Sequence, residues 1–117
     1  MITIASLKTM NREIGEEGRL ENASALEFAV DQANKLRTDA FYKQLAYIAR
    51  ALLVDHAFVE GNKRTLTYFA AQLLKENKIE LDAAMTWKLM NCIYKITIKK
   101  ITSLEKIRLM LINYLRR

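Results

Sequence analysis

Residues 41–74 read FYKQLAYIARALLVDHAFVEGNKRTLTYFAAQLL, two runs of helical period around one interruption. In the first run Phe41, Leu45, Ile48, Leu52 and Leu53 recur three and four apart and mark one apolar stripe up to Asp55. In the second, Leu66, Phe69, Ala70, Leu73 and Leu74 resume the period after the break at residues 59–62. Outward from this pair the pattern stays helical. Leu7, Met10 and Ile14 precede a polar turn at residues 15–18, and Asn22 is placed to cap a helix carrying Leu26, Ala29 and Val30. Downstream, Asp82 is placed to cap a helix through Trp87, Met90, Ile93 and Tyr94. Thr102 and Glu105 have the spacing of a capping box before Ile107, Leu111 and Leu115.

The chain has no proline and only three glycines, so little stops a helix once begun. Residues 96–101 alternate apolar and polar but are too few to prefer a strand between helices, and they are read as continuing or linking them. The expectation is an all-α bundle of five or six helices forming one domain over residues 1–117.

Composition narrows the class. The 117 residues are 51% hydrophobic and 27% charged, which excludes disordered and low-complexity classes. One cysteine, Cys92, and one histidine build neither a disulfide nor a structural zinc site. Charges at Arg12, Glu13, Glu16, Glu17 and Arg19 argue against a secretory leader, and no apolar run is long enough to span a bilayer. A cytoplasmic location without membrane contact is expected.

The net charge of +6 is uneven: residues 88–117 hold eight basic residues against Glu105 alone, so the first 87 sum to −1. No aromatic residues interleave these charges in a stacking pattern, so nucleic acid is not the expected partner. An acidic protein docking on Lys95, Lys99, Lys100 and Arg108 is one reading, and a merely solvated face is the other.

The interruption itself, His56-Ala-Phe-Val-Glu60-Gly61-Asn62-Lys63-Arg64-Thr65, gathers the histidine, a carboxylate, a turn and two cations. Gly61 and Asn62 tolerate positive φ and let the chain turn sharply into the next helix, whose N–H groups and dipole then favour an anion. Lys63 and Arg64 add charge, and a guanidinium grips phosphate with two parallel donors. Glu60 offers the hard oxygen that Mg²⁺ prefers beside phosphates. His56, with an ordinary pKa of about 6.5, suits proton removal from a hydroxyl. The bland alternatives are a capping or core histidine and a solvated, ion-paired turn. The segment is no P-loop, because it lacks both the Gly-Lys-Ser/Thr ending and the earlier glycine.

As a whole, HAFVEGNKRTLT resembles the signature of the Fic/Doc (Fido) family, HxFx(D/E)GN(G/K)RxxR, with seven positions matching in order. Gly18-Arg-Leu-Glu-Asn-Ala-Ser-Ala-Leu26 is similar to the GLL-ESAL stretch of death-on-curing (Doc-like) members. The resemblance implies a compact Fido-type helical bundle, with the flap hairpin of that family short or absent because only residues 34–40 are available for it. It further implies that His56 acts as base, Phe58 anchors the loop and Glu60 binds Mg²⁺. Gly61, Asn62, Lys63 and Arg64 would hold ATP.

Lys63 stands where AMP-transferring members have glycine, and Thr67 stands where they have a second arginine. Both features resemble the Doc-like branch, toxins of toxin–antitoxin pairs that phosphorylate a threonine of elongation factor Tu. The implied activity is therefore phosphoryl transfer from ATP to a Ser, Thr or Tyr hydroxyl of a protein of that kind. AMP transfer and a non-catalytic Fido module are the alternatives. The family's self-inhibitory motif (S/T)xxxE(G/N) is incomplete: Thr9 and Glu13 are spaced correctly, but Ile14 follows. That implies a separate antitoxin or inhibitor chain.

Overall fold

The computed structural model describes residues 1–37 and 39–116. Six helices follow in order: α1 Ile4–Glu13, α2 Ala23–Asn34, α3 Phe41–Leu53, α4 Asn62–Glu76, α5 Ala83–Ile98 and α6 Leu104–Leu115. No strand occurs among the described residues, and the expected all-α Fido-type bundle is what the chain forms.

The centre is α3. Leu45, Ala46, Ile48, Ala49, Leu52 and Leu53 are all buried, so alanines widen the apolar stripe almost around the helix. A helix apolar on so many sides must be enclosed, and α3 packs against α2, α4, α5 and α6. Leu66, Phe69, Ala70 and Leu74 of α4 and Leu26 and Ala33 of α2 complete the core around it.

Helix starts follow side-chain chemistry. Asn22 and Asp82 cap α2 and α5 as the sequence predicts, accepting from Ala25 N–H at 3.2 Å and Met85 N–H at 2.8 Å. The capping box expected from Thr102 is displaced by one residue. Ser103 caps α6 by accepting from Lys106 N–H, and the Glu105 carboxylate turns to the Arg108 guanidinium at 2.5 and 3.0 Å. A forked, charge-assisted pair outbids one backbone N–H for that carboxylate.

Between α2 and α3 the described residues form turns: Leu36 N–H bonds to Ala33 O and Ala40 N–H to Arg37 O, with no strand pairing. Thr38, in the middle of the expected flap, lies outside the described residues. Of the four expected docking cations, Lys95 and Arg108 have different neighbours. Lys95 sits over the Tyr114 ring, whereas Arg108 is paired with Glu105 in a recess shared with Tyr42 and Lys43 of α3. Arg117 also lies outside the described residues. Among the described residues no helix is long and apolar enough to cross a membrane.

Candidate active site

The end of α3 sets the position of His56. Ala57 N–H reaches back to Ala51 O at 3.1 Å, closing the helix with a bond that spans six residues. Val54 is the C-cap of α3, its N–H bonding to Arg50 O at 2.9 Å, and His56, two residues further on, turns the chain with a left-handed φ of 48°. The backbone of His56 therefore redirects the chain just beyond α3 while its side chain stays exposed. The core-histidine reading fails because the residue is exposed, and the cap of α3 is Val54 rather than His56.

The loop that follows is tied to the segment before α2. Ala57 is buried, and its carbonyl accepts from Glu21 N–H at 2.8 Å and Asn22 N–H at 3.1 Å. Leu20 and Phe58 form an isolated antiparallel bridge, and Val59 N–H donates to Arg19 O at 3.0 Å. Phe58 is 1% exposed and anchors the loop in the core. Asn62 closes the loop on itself: its amide accepts from Phe58 N–H at 3.0 Å and donates to Phe58 O at 2.9 Å.

Gly61 begins α4 with φ 78°, and a Cβ there would come within 2.7 Å of Glu16 Cγ and 2.9 Å of Ile14 Cδ1. Both the backbone conformation and the approach of the α1 end require glycine. No side chain caps α4. Its first N–H groups thus open onto a cavity of about 470 Å³, lined by His56, Glu60, Gly61, Asn62, Lys63 and Arg64 with Leu52, Leu53, Val59 and Thr97. All six residues singled out in the sequence meet at this cavity.

Reading by spacing missed two participants. Asn11, only 1% exposed, donates to Glu60 O at 2.9 Å and to Thr65 Oγ1 at 3.1 Å, and accepts from Gly18 N–H at 2.8 Å. The signal was an asparagine four residues after Leu7, on the apolar side of α1. Glu16 is the second: Arg64 donates to its carboxylate at 2.8 Å and to Ile14 O at 2.9 Å. Glu13, whose spacing suggested an inhibitory motif, instead accepts from the Tyr68 hydroxyl, and this raises the Tyr68 pKa.

The donor set fits a metal-bound phosphate rather than a free-standing metal site. Among the described residues no three His, Cys, Asp or Glu side chains gather as a metal cage, and Glu60 is the one carboxylate lining the cavity. Magnesium is commonly held by one or two carboxylates, with water and phosphate oxygens completing its octahedron. The uncapped α4 terminus with Lys63 and Arg64 offers the matching phosphate cradle.

Residues 4–74 match the sequence profile of the Fic/DOC family, more than half of the chain. The chain belongs to the Fic/DOC family. That family generally comprises transferases. No curated protein and no solved structure matches the chain. The Fic/DOC match spans α1 through most of α4 and takes in every residue lining the cavity except Thr97 of α5.

Proposed function

We propose that this Fic/DOC chain is a Doc-like transferase that moves the γ-phosphoryl group of ATP to a hydroxyl of a protein target. The observation that carries the reading is the α4 start: an uncapped helix terminus, Lys63 after Asn62, and exposed His56 and Glu60 on the same cavity. Thr67 supports the Doc-like branch over AMP transfer. It occupies the second-arginine position, and its hydroxyl donates back to Lys63 O at 3.1 Å, so no guanidinium serves a nucleotide there.

In this reading the α4 N–H groups, Lys63 and Arg64 hold the phosphates, and Arg64 exchanges Glu16 for them. His56 takes the proton of the target hydroxyl as its oxygen bonds to the γ-phosphorus. The bond from that phosphorus to the bridging oxygen breaks, and ADP leaves with the electron pair. Bound Mg²⁺, held through Glu60, supplies charge neutralisation of the phosphates. Leu52 and Leu53 form an apolar wall beside them. A toxin of this kind acts on a translation factor and is silenced by a separate chain.

Incubation of the protein with purified elongation factor Tu and ATP labelled at either the α or the γ phosphate tests the reaction. Label from the γ position alone is expected. His56→Ala should lower the rate by about 10²- to 10⁴-fold. Glu60→Gln should lower ATP affinity only when Mg²⁺ is present. Transfer of α label would establish AMP transfer instead, and transfer of neither label, to elongation factor Tu or to other cell proteins, would leave a binding module.

A further inference from the structure

α5 is apolar on two opposite sides. Met85, Leu89, Cys92, Ile93 and Ile96 face the core. Trp87, Met90, Tyr94 and Ile98 do not: they are 65, 52, 61 and 61% exposed. Their spacing of three, four and four residues sets them in one stripe along the outer side of the helix. Four large apolar side chains in one exposed row are more than the scattered singles that a protein surface ordinarily carries.

The two edges of the stripe differ. At 100° per residue, Lys88, Lys95 and Lys99 fall along one edge, and Thr86 and Thr97 along the other. Helix α5 contains no acidic residue, and among the described residues none of the three lysines is paired with a carboxylate. The lysine edge lies toward α6, where Lys95 stands over Tyr114. The threonine edge lies toward the cavity, which Thr97 lines together with His56 and Glu60.

We propose that the outer side of α5 is a docking surface for an amphipathic helix of another protein. Its apolar ridge lies along Trp87, Met90, Tyr94 and Ile98, and its acidic flank faces Lys88, Lys95 and Lys99. The stripe is as wide as one helix face, and its i, i+3, i+7 spacing lets the apolar face of a single partner helix pack along it. Complementary charge selects a partner with carboxylates on one flank.

A second copy of this chain fits less well. A two-fold pairing of α5 sets the lysine edges against each other or against threonines, with no α5 carboxylate to meet them. An anionic membrane would favour cations on both edges, since lysines snorkel outward from either side of an apolar face. Because the threonine edge borders the cavity, a helix seated here lies beside its mouth.

The experiment uses the full chain and a displayed library of 18-residue helical peptides. Leucine is fixed at the ridge positions, and the flanks are randomised among Asp, Glu, Lys, Arg and Ser. Enrichment of Asp and Glu on one flank is expected. The best peptide should shift the emission of Trp87, the only tryptophan, to the blue. Its affinity should fall at least tenfold in the Lys88→Glu, Lys95→Glu, Lys99→Glu protein. Tyr94→Ser with Ile98→Ser should abolish the shift while the helical circular dichroism stays unchanged.

No enrichment, or enrichment without charge preference, overturns the proposal. So does equal binding by the charge-reversed protein. An emission shift with phosphatidylglycerol vesicles but with no peptide would assign the stripe to membranes. A concentration-dependent dimer lost in the Tyr94→Ser, Ile98→Ser protein would assign it to self-association.

Discussion

His56, two residues beyond the C-cap of α3, holds a backbone conformation that glycine adopts freely and histidine does not. Left-handed non-glycine residues concentrate where function demands a particular side chain, at a cost of about 1–3 kcal/mol. The cost is measurable. His56→Gly removes the strained Cβ and should raise Tm by about 3–5 °C relative to the wild type. The same change should abolish label transfer, and thermal melts beside the transfer assay check both halves. A melting point equal to or below that of the wild type would show that the ring contributes stability outweighing the strain. The residue types and spacing of the site were legible in the sequence because His56 to Arg64 are contiguous, and the chemistry of each is local. The left-handed φ of His56 was not, because it follows from how α3 closes onto Ala57.

Among the elements, α3 and α4 both start without a side-chain cap, and of the two only the start of α4 lines the cavity of His56. Thr3, Asn22, Asp82 and Ser103 each give a side-chain oxygen to the helix they precede, whereas Gly61 gives none to α4. The caps of α2 and α5 could be read directly, since a short polar side chain stands next to an apolar period. The shift from Thr102 to Ser103 could not, because Arg108 draws Glu105 away from the box. Nor was the link between α1 and α4 legible: Asn11 meets partners 49 and 54 residues further along, beyond any local pattern. Asn11→Ala should leave Glu60 O, Thr65 Oγ1 and Gly18 N–H without that partner and destabilise the fold by about 2–3 kcal/mol. Chemical denaturation measures this loss. Nucleotide affinity should fall beyond what the unfolded fraction explains, because Glu60 loses its backbone anchor.

For the molecule as a whole, the all-helical architecture was legible from period, missing prolines and caps, since each helix buries a stripe that the sequence displays. What stayed hidden was the second apolar side of α5, because a count of hydrophobic residues does not say which of them face outward. Cys92, on the inner side, reports the cohesion of the whole core. Burial pushes its thiol up to about 12, while the unfolded chain should titrate at about 8.5. Between these values the unfolded state releases a proton that the folded state keeps, so stability falls as pH rises through the window and is unaffected below it. Unfolding free energies at pH 7.5 and 10.5 should show Cys92→Ala losing less than the wild type, by about 2.7 kcal/mol. Equal losses would mean that the thiol is hydrated in the native state.

The bonds from Asn11, Arg19, Glu21 and Asn22 to the loop at residues 57–65 also bear on the order in which the protein is made. Synthesis delivers the N-terminal segment first, and domains complete their folding only as the remaining chain emerges. Helix α1 leaves the ribosome with the Asn11 amide unanswered until Glu60 and Thr65 follow it out. A ribosome stalled before that point holds α1 and α2 but no assembled cavity, and a chain carrying the motif with a damaged start holds the motif without its frame. The cavity therefore assembles only after residues 57–65, and then Thr97 of α5, have followed α1 and α2 out of the ribosome.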